Sequence, residues 1–445
     1  MFDKIIETQK DAIIHSVCEL MKFKSVSVET NNPDMPFGEE CKKVLDYTLK
    51  LAEELGFRTK NLDGYCGYIE FGEGEEMVGI IGHLDVVPAE IEDGWSTPPF
   101  EPNIRENKIY GRGAIDDKGP VVASLYAMKA ILDSGEKLNK RVRLILGLNE
   151  EKAWKCIHHY KEIGEETPSI GFSPDADFPC IYAEKGILSV RLRHPFSIKN
   201  KEILNIDCNH NALNVVPKYC SITLKDTTSE NIEKLEFNGT AAHTAHPDFG
   251  DNAITKLVQH LNENLDQNLL DNEFTFLAKL AELGLFEITS PKFLSEATIQ
   301  DESGILTSNV GFLGFENHIL EIGLNLRVPV NTPLAEIKAK FESLAKIFPE
   351  IEVKFTAEQA PLYVSKDSYL VQTLTDIFNK KTGFNEKPIA IGGGTYARAF
   401  PNCVAFGANM PGQKDMCHQV DEFIDIDTLV LSSKIYAEAI YALAK

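Results

Sequence analysis

Ile80-Ile81-Gly82-His83-Leu84-Asp85-Val86-Val87-Pro88 is an apolar run that ends abruptly in an imidazole and a carboxylate two residues apart. Short apolar runs bounded by glycine, proline or acidic residues read as strands buried on both faces. Residues 77–82, 141–148, 170–173, 389–391 and 404–407 all have that form. Amphipathic stretches at helical spacing separate several of them, at 3–23, 43–55, 120–132 and 427–444. The alternation predicts an α/β domain whose central, mostly parallel sheet is flanked by helices. Open sheets of this kind carry their chemistry beyond the carboxyl ends of the strands, which is where His83 and Asp85 fall.

Between 187 and 360 the texture changes to alternating strands. In 319–330, Leu320, Ile322, Leu324, Leu326 and Val328 share one face and Arg327 points away from it. Residues 262–285 read as a helical stretch inside this region. The organisation expected is an α/β domain over 1–186 and 361–445, interrupted by an inserted α+β domain over 187–360 with room for two subdomains.

The chain is 445 residues long, enough for two or more full cores. With 45 Lys and Arg against 67 Asp and Glu, its formal charge of −22 opposes both nucleic acid and anionic membrane as partners. No apolar stretch approaches the roughly eighteen residues a spanning helix needs, and the N-terminus lacks a signal-peptide core. Nine cysteines, scattered and never spaced Cys-x-x-Cys, predict reduced thiols and a cytoplasmic location, with neither a disulfide framework nor a zinc ribbon.

Four further segments fall after expected strands or in turns. They are Gly111-Arg112-Gly113-Ala114-Ile115-Asp116-Asp117-Lys118-Gly119, Leu148-Asn149-Glu150-Glu151, Ser173-Pro174-Asp175 and Met416-Cys417-His418. Two imidazoles and several carboxylates without a thiolate cluster suit hard-to-borderline divalent ions, and a shared carboxylate can hold two of them. Each piece has a plainer reading. Glu150-Glu151 is also a solvated helix start, Asp116-Asp117 a turn with an Asx cap, and His418 a core histidine.

Taken together, these segments resemble the di-zinc metallopeptidases related to aminoacylases and carboxypeptidases, most closely their PepV-type dipeptidase branch, nearly end to end. The resemblance implies that His83 and Asp175 hold one ion, Glu151 and His418 the other, and Asp116 bridges them. It also implies that Asp85 orients His83 and that Glu150 is the general base for a water lying between the ions. Two Zn2+ per chain are expected, with Mn2+ or Co2+ able to serve. The inserted region becomes a lid: His243, in Gly239-Thr240-Ala241-Ala242-His243, is the oxyanion donor. Arg327 is the fork for a substrate carboxylate, with a surface salt bridge as its rival. Asn214 points at the substrate, and Gly392-Gly393-Gly394-Thr395 offers backbone N–H groups to a carboxylate.

The implied activity is hydrolysis of short peptides by a monomer. An N-acyl amino acid deacylase using the same ions is the alternative, followed by a catalytically silent metal-dependent binding protein. Leu148-Asn149 stands where the family has Thr-Asp, and Asn209-His210 replaces a glycine pair, which leaves substrate preference open. Six further histidines, 158, 159, 210, 246, 260 and 318, read as surface residues.

Overall fold

The computed structural model describes residues 1–198, 200–209, 212–264 and 275–445. The chain forms two compact units: Met1–Tyr182, Val364–Ile389 and Thr395–Lys445 make one, and Ala183–Tyr363 with Ala390–Gly394 make the other. The sequence reading drew the bounds at 186/187 and 360/361 and kept 390–394 with the first unit. The return instead falls at Val364, and Ala390–Gly394 joins the second unit, where the Gly392 carbonyl accepts a hydrogen bond from Arg327.

In the first unit the strands lie in the order Arg58–Leu62, Cys66–Phe71, Arg141–Gly147, Met77–His83, Ile170–Ser173, Cys403–Ala405 and the strand that begins at Ile181. The middle four, Arg141–Gly147 through Cys403–Ala405, run parallel, as their uninterrupted apolar character foretells. The strands outside them pair antiparallel, so the sheet is mixed. Arg58–Leu62 is mostly exposed and polar, and carries no apolar run to mark it.

Helices Lys118–Ser134 and Ile426–Ala444 pack on each other and on the strand Met77–His83. The expected helix over 3–23 is two, Asp3–Thr8 and Lys10–Met21, broken at Gln9. Glu39–Glu54 begins a turn earlier than its apolar pattern, behind Gly38 at φ 96°, with Glu39 and Glu40 favouring the positive end of the helix dipole. Among the described residues no helix is long and apolar enough to cross a membrane.

The second unit holds a four-stranded antiparallel sheet, ordered Thr307–Glu316, Ile319–Val328, Gly186–Pro195 and Glu352–Gln359. A three-stranded sheet of Lys201–Asp207, Tyr219–Asp226 and Ile232–Asn238 accompanies it. Leu320, Ile322, Leu324, Leu326 and Val328 are all buried in one core with Ile254, Leu257 and Phe341. The helical stretch expected over 262–285 includes 265–274, which lie outside the described residues, as does His210; flanking them are the helices Ala253–Asn264 and Thr275–Glu282.

Candidate metal centre and active site

The parallel strand Met77–His83 delivers His83 at its carboxyl end, fully buried, beside Gly147 at the end of its neighbour. A side chain at Gly147 would strike Tyr396, whose ring edges toward His83 with centroids 6.1 Å apart. The Nδ1–H of His83 donates to the Asp85 backbone carbonyl at 2.9 Å, which turns the Nε2 lone pair inward. That Nε2 lies 3.0 Å from Asp116 Oδ1 and 3.4 Å from Asp175 Oδ2, yet it makes no hydrogen bond. The other oxygen of Asp116, Oδ2, lies 2.9 Å from His418 Nε2, which is in turn 3.0 Å from Glu151 Oε1. Asp116 thus faces one imidazole with each carboxylate oxygen.

Asp85 does more than the sequence suggested, and by other atoms. Its carboxylate stands 3.5 Å from His83 Nδ1, so the backbone carbonyl orients the ring. The two carboxylate oxygens instead accept the backbone N–H groups of Glu150, at 3.1 Å, and Glu151, at 3.2 Å. One buried residue therefore sets both the imidazole and the acid pair. Asn149 supports the same turn: its side chain donates to Ser27 Oγ and accepts from Lys155 N. Asp117 is no Asx cap, since its Oδ2 accepts the His83 N–H at 3.0 Å from the start of the helix Lys118–Ser134. Gly82 leaves that carboxylate room, for a Cβ there would sit 2.7 Å from it.

The electrostatics call for positive charge. Burial and the nearby Asp116 push the Asp175 and Glu151 carboxyls above the usual carboxylate range. Burial, opposed by His83 and reinforced by Asp175, Glu151 and Asp85, takes Glu150 well above it. Asp116 is also buried, but the two imidazoles its oxygens face, His418 and His83, outweigh that and hold its carboxyl well below the range. A divalent ion would meet this demand: one ligand atom from each of His83, Asp116 and Glu151 lies within 4.8 Å of the others, and the buried His83 Nε2 has no other partner. Carboxylates and imidazoles suit zinc, manganese or cobalt. Cys417 does not compete as a thiolate, because burial and the neighbouring Asp116 raise its thiol pKa.

Two residues that position this centre escaped the sequence reading. The Glu422 carboxylate, fully buried, accepts from Arg112 Nη1 at 2.7 Å and from the backbone N–H groups of Gly113, Ile115 and Asp116 at 2.9 to 3.2 Å. It lies four residues beyond His418, so a single carboxylate ties the loop of Asp116 to that of His418. Glutamine would put an amide against backbone donors and leave the Arg112 charge buried without its partner. Glu422→Gln is expected to cost about 3–5 kcal/mol of stability, read from denaturant midpoints; a change near zero would show that the loop holds itself.

The second unit gathers other candidates. Arg327 is buried rather than on the surface: Nε donates to Asn325 Oδ1, Nη1 to the Gly392 carbonyl and Nη2 to Thr244 Oγ1, at 2.7 to 3.2 Å. The glycine loop there presents a carbonyl to this arginine. His243 is exposed, and its Nδ1 accepts the Ala245 N–H at 3.2 Å, which leaves the neutral ring's proton on Nε2. Asn214 is exposed, and its backbone carbonyl accepts the Thr244 N–H. Thr395, in the first unit, caps the short helix Tyr396–Ala399 with its hydroxyl. His159 accompanies Asp63 at 2.9 Å, and His246 stacks on Phe249.

Comparison with known proteins places the chain among peptidases. The family model described as "Peptidase family M20/M25/M40" matches residues 79–442. A Bacillus subtilis (strain 168) protein named "Putative dipeptidase YtjP" is 38% identical, with 98% of each chain covered. "Putative dipeptidase MW1694" of Staphylococcus aureus (strain MW2) is 33% identical, over 100% of this chain and 99% of its own. Among solved structures, human carnosine dipeptidase 1 shares the fold at a TM-score of 0.64 and 16% identity, covering 100% of this chain and 98% of that one. From its matched segment and its whole-length relatives, the chain belongs to peptidase family M20/M25/M40, a family of metal-dependent hydrolases.

Proposed function

We propose that the protein is a metal-dependent dipeptidase that cleaves the peptide bond of short peptides, acting as a cytoplasmic monomer. Whole-length relatives named as dipeptidases support the substrate class. The observation that carries the chemistry is the division of Asp116 between His83 and His418. On this reading His83 and Asp175 hold one ion, Glu151 and His418 the other, and Asp116 serves both, with zinc as the first choice. Such ions supply Lewis acidity to the scissile carbonyl and acidify the attacking water.

The chain's own groups do the rest. Glu150 takes the water's proton and later passes it to the leaving amine. Asp85 holds Glu150 and Glu151 by their backbone and His83 by its ring. His243, protonated at Nε2, donates to the oxygen on which charge develops. Asn214 and the stretch Gly392, Gly393, Gly394 and Thr395 contact the substrate, and Arg327 pairs with its carboxylate.

A metal-reconstituted panel of dipeptides beside N-acetyl and N-succinyl amino acids tests the activity. Peptide cleavage is expected; deacylation without it would select the alternative hydrolase, and silence across the panel a binding protein. Arg327→Lys is expected to raise KM on the order of 10-fold or more with kcat little changed, because lysine keeps the charge and loses the planar fork. An unchanged KM would confine Arg327 to its bonds with Gly392, Asn325 and Thr244.

A further inference from the structure

We infer that Cys208 and Cys220 form a reversible disulfide, a modification site in the second unit that is separate from its proposed part in the peptidase reaction. The register of strands Lys201–Asp207 and Tyr219–Asp226 pairs Asp207 with Ser221, so Cys208 comes directly opposite Cys220. Directly opposed residues of antiparallel strands have Cα atoms about 4.5–5.5 Å apart, inside the span a disulfide bridges. The two Sγ atoms are 3.1 Å apart, both as thiols. Among the described residues no other pair of the nine cysteines is joined by a hydrogen bond between its sulfurs.

A hydrogen-bond chain assigns the roles. Cys208 Sγ donates to the Leu313 carbonyl at 3.4 Å, so the S–H of Cys220 points at the Cys208 sulfur. Cys208 is therefore the sulfur that carries developing thiolate character, and it is the one with residual exposure, 4% against none for Cys220. With hydrogen peroxide as oxidant, the Cys208 thiolate attacks one peroxide oxygen, the O–O bond breaks, and a sulfenic acid and one water result. Cys220 sulfur then attacks the Cys208 sulfur, the S–O bond breaks, and a second water leaves. Two thiols have lost two electrons and two protons, and the peroxide has been reduced to two waters. A thiol returns the pair to its starting state by exchange.

The bond closes a ring that contains residues 214–216, which pair with the backbone around His243. Thr244 N donates to the Asn214 carbonyl at 3.1 Å, Val216 N donates to Ala242 at 2.8 Å, and Val215 bridges His243. The pair thus lies at the root of the loop that carries both Asn214 and the partner strand of His243.

Trypsin provides the test, because it cuts after Lys218 and separates 202–218, which contains Cys208, from 219–225, which contains Cys220. Native protein treated with graded hydrogen peroxide, blocked with iodoacetamide and digested should yield these two peptides joined, released by dithiothreitol, with no such product from Cys220→Ser. Recovery of the two peptides separately, at peroxide doses that already oxidise the part-exposed Cys18, would overturn the inference. So would a Cys208 found only as the sulfinic acid.

Discussion

Glu150→Gln is expected to lower kcat by on the order of 10^2–10^4, the usual worth of a positioned general base, while metal content stays at the wild-type level. Glutamine keeps the length and polarity of the side chain and discards only its capacity to take a proton. The position of the residue does not depend on its own carboxylate, since the Glu150 N–H is held by Asp85 Oδ1 at 3.1 Å and that of Glu151 by Asp85 Oδ2 at 3.2 Å. Glu151, the proposed ligand, therefore stays in place, beside His418 at 3.0 Å. Steady-state hydrolysis of a dipeptide, with metal content measured on the same preparation, separates the two roles of these adjacent acids. A variant that turns over at the wild-type rate removes Glu150 from the chemistry; one that has lost metal shows it to be a ligand instead.

The legible part of this molecule is where burial imposes one chemistry on consecutive residues. Strands of a parallel core are covered on both faces, so Met77–His83 and Arg141–Gly147 read as apolar runs, and a His or Glu at their ends stands out. Edge strands such as Arg58–Leu62 have water on a side and carry no such signature. The proposed ligands were legible because each sits in a short local motif, and the structure gathers His83, Asp116, Glu151, Asp175 and His418 from segments far apart.

What the sequence hid is partnership at a distance. Glu422 and Arg112 are 310 positions apart, and nothing in either motif announces that a single carboxylate collects four donors. Tyr396 likewise reads as one more aromatic beside a glycine loop, and only the register of Gly147 with His83 explains why its ring must be there. Arg327 was expected on the polar face of its strand and does lie off the apolar face, but it is buried, because Thr244 and Gly392 close over it. Asp85, expected to orient His83, does so through its backbone carbonyl, while its carboxylate holds the acid pair by their N–H groups.

Asp116→Asn is expected to lose both turnover and the stability that metal confers. The aspartate presents equivalent oxygens, Oδ1 to His83 at 3.0 Å and Oδ2 to His418 at 2.9 Å. Asparagine can offer one oxygen, and its amide must turn N–H groups toward either His83 or His418, where a bound cation would need a lone pair. The affinity loss should exceed the roughly 10–100-fold that follows removal of an outer partner of a metal ligand. Bound metal also stabilises the fold by mass action, about 2.7 kcal/mol when free metal is at 100 times its dissociation constant. In wild type, chelation should therefore lower the unfolding midpoint and zinc should restore it; in the asparagine variant most of that metal-dependent increment should be gone. The backbone of residue 116 is held by Glu422 regardless of its side chain, with the N–H at 3.2 Å from Oε1, so the loop itself survives the change. A variant that binds as much zinc as wild type, keeps the full increment and hydrolyses dipeptides normally would remove Asp116 from the proposed metal centre.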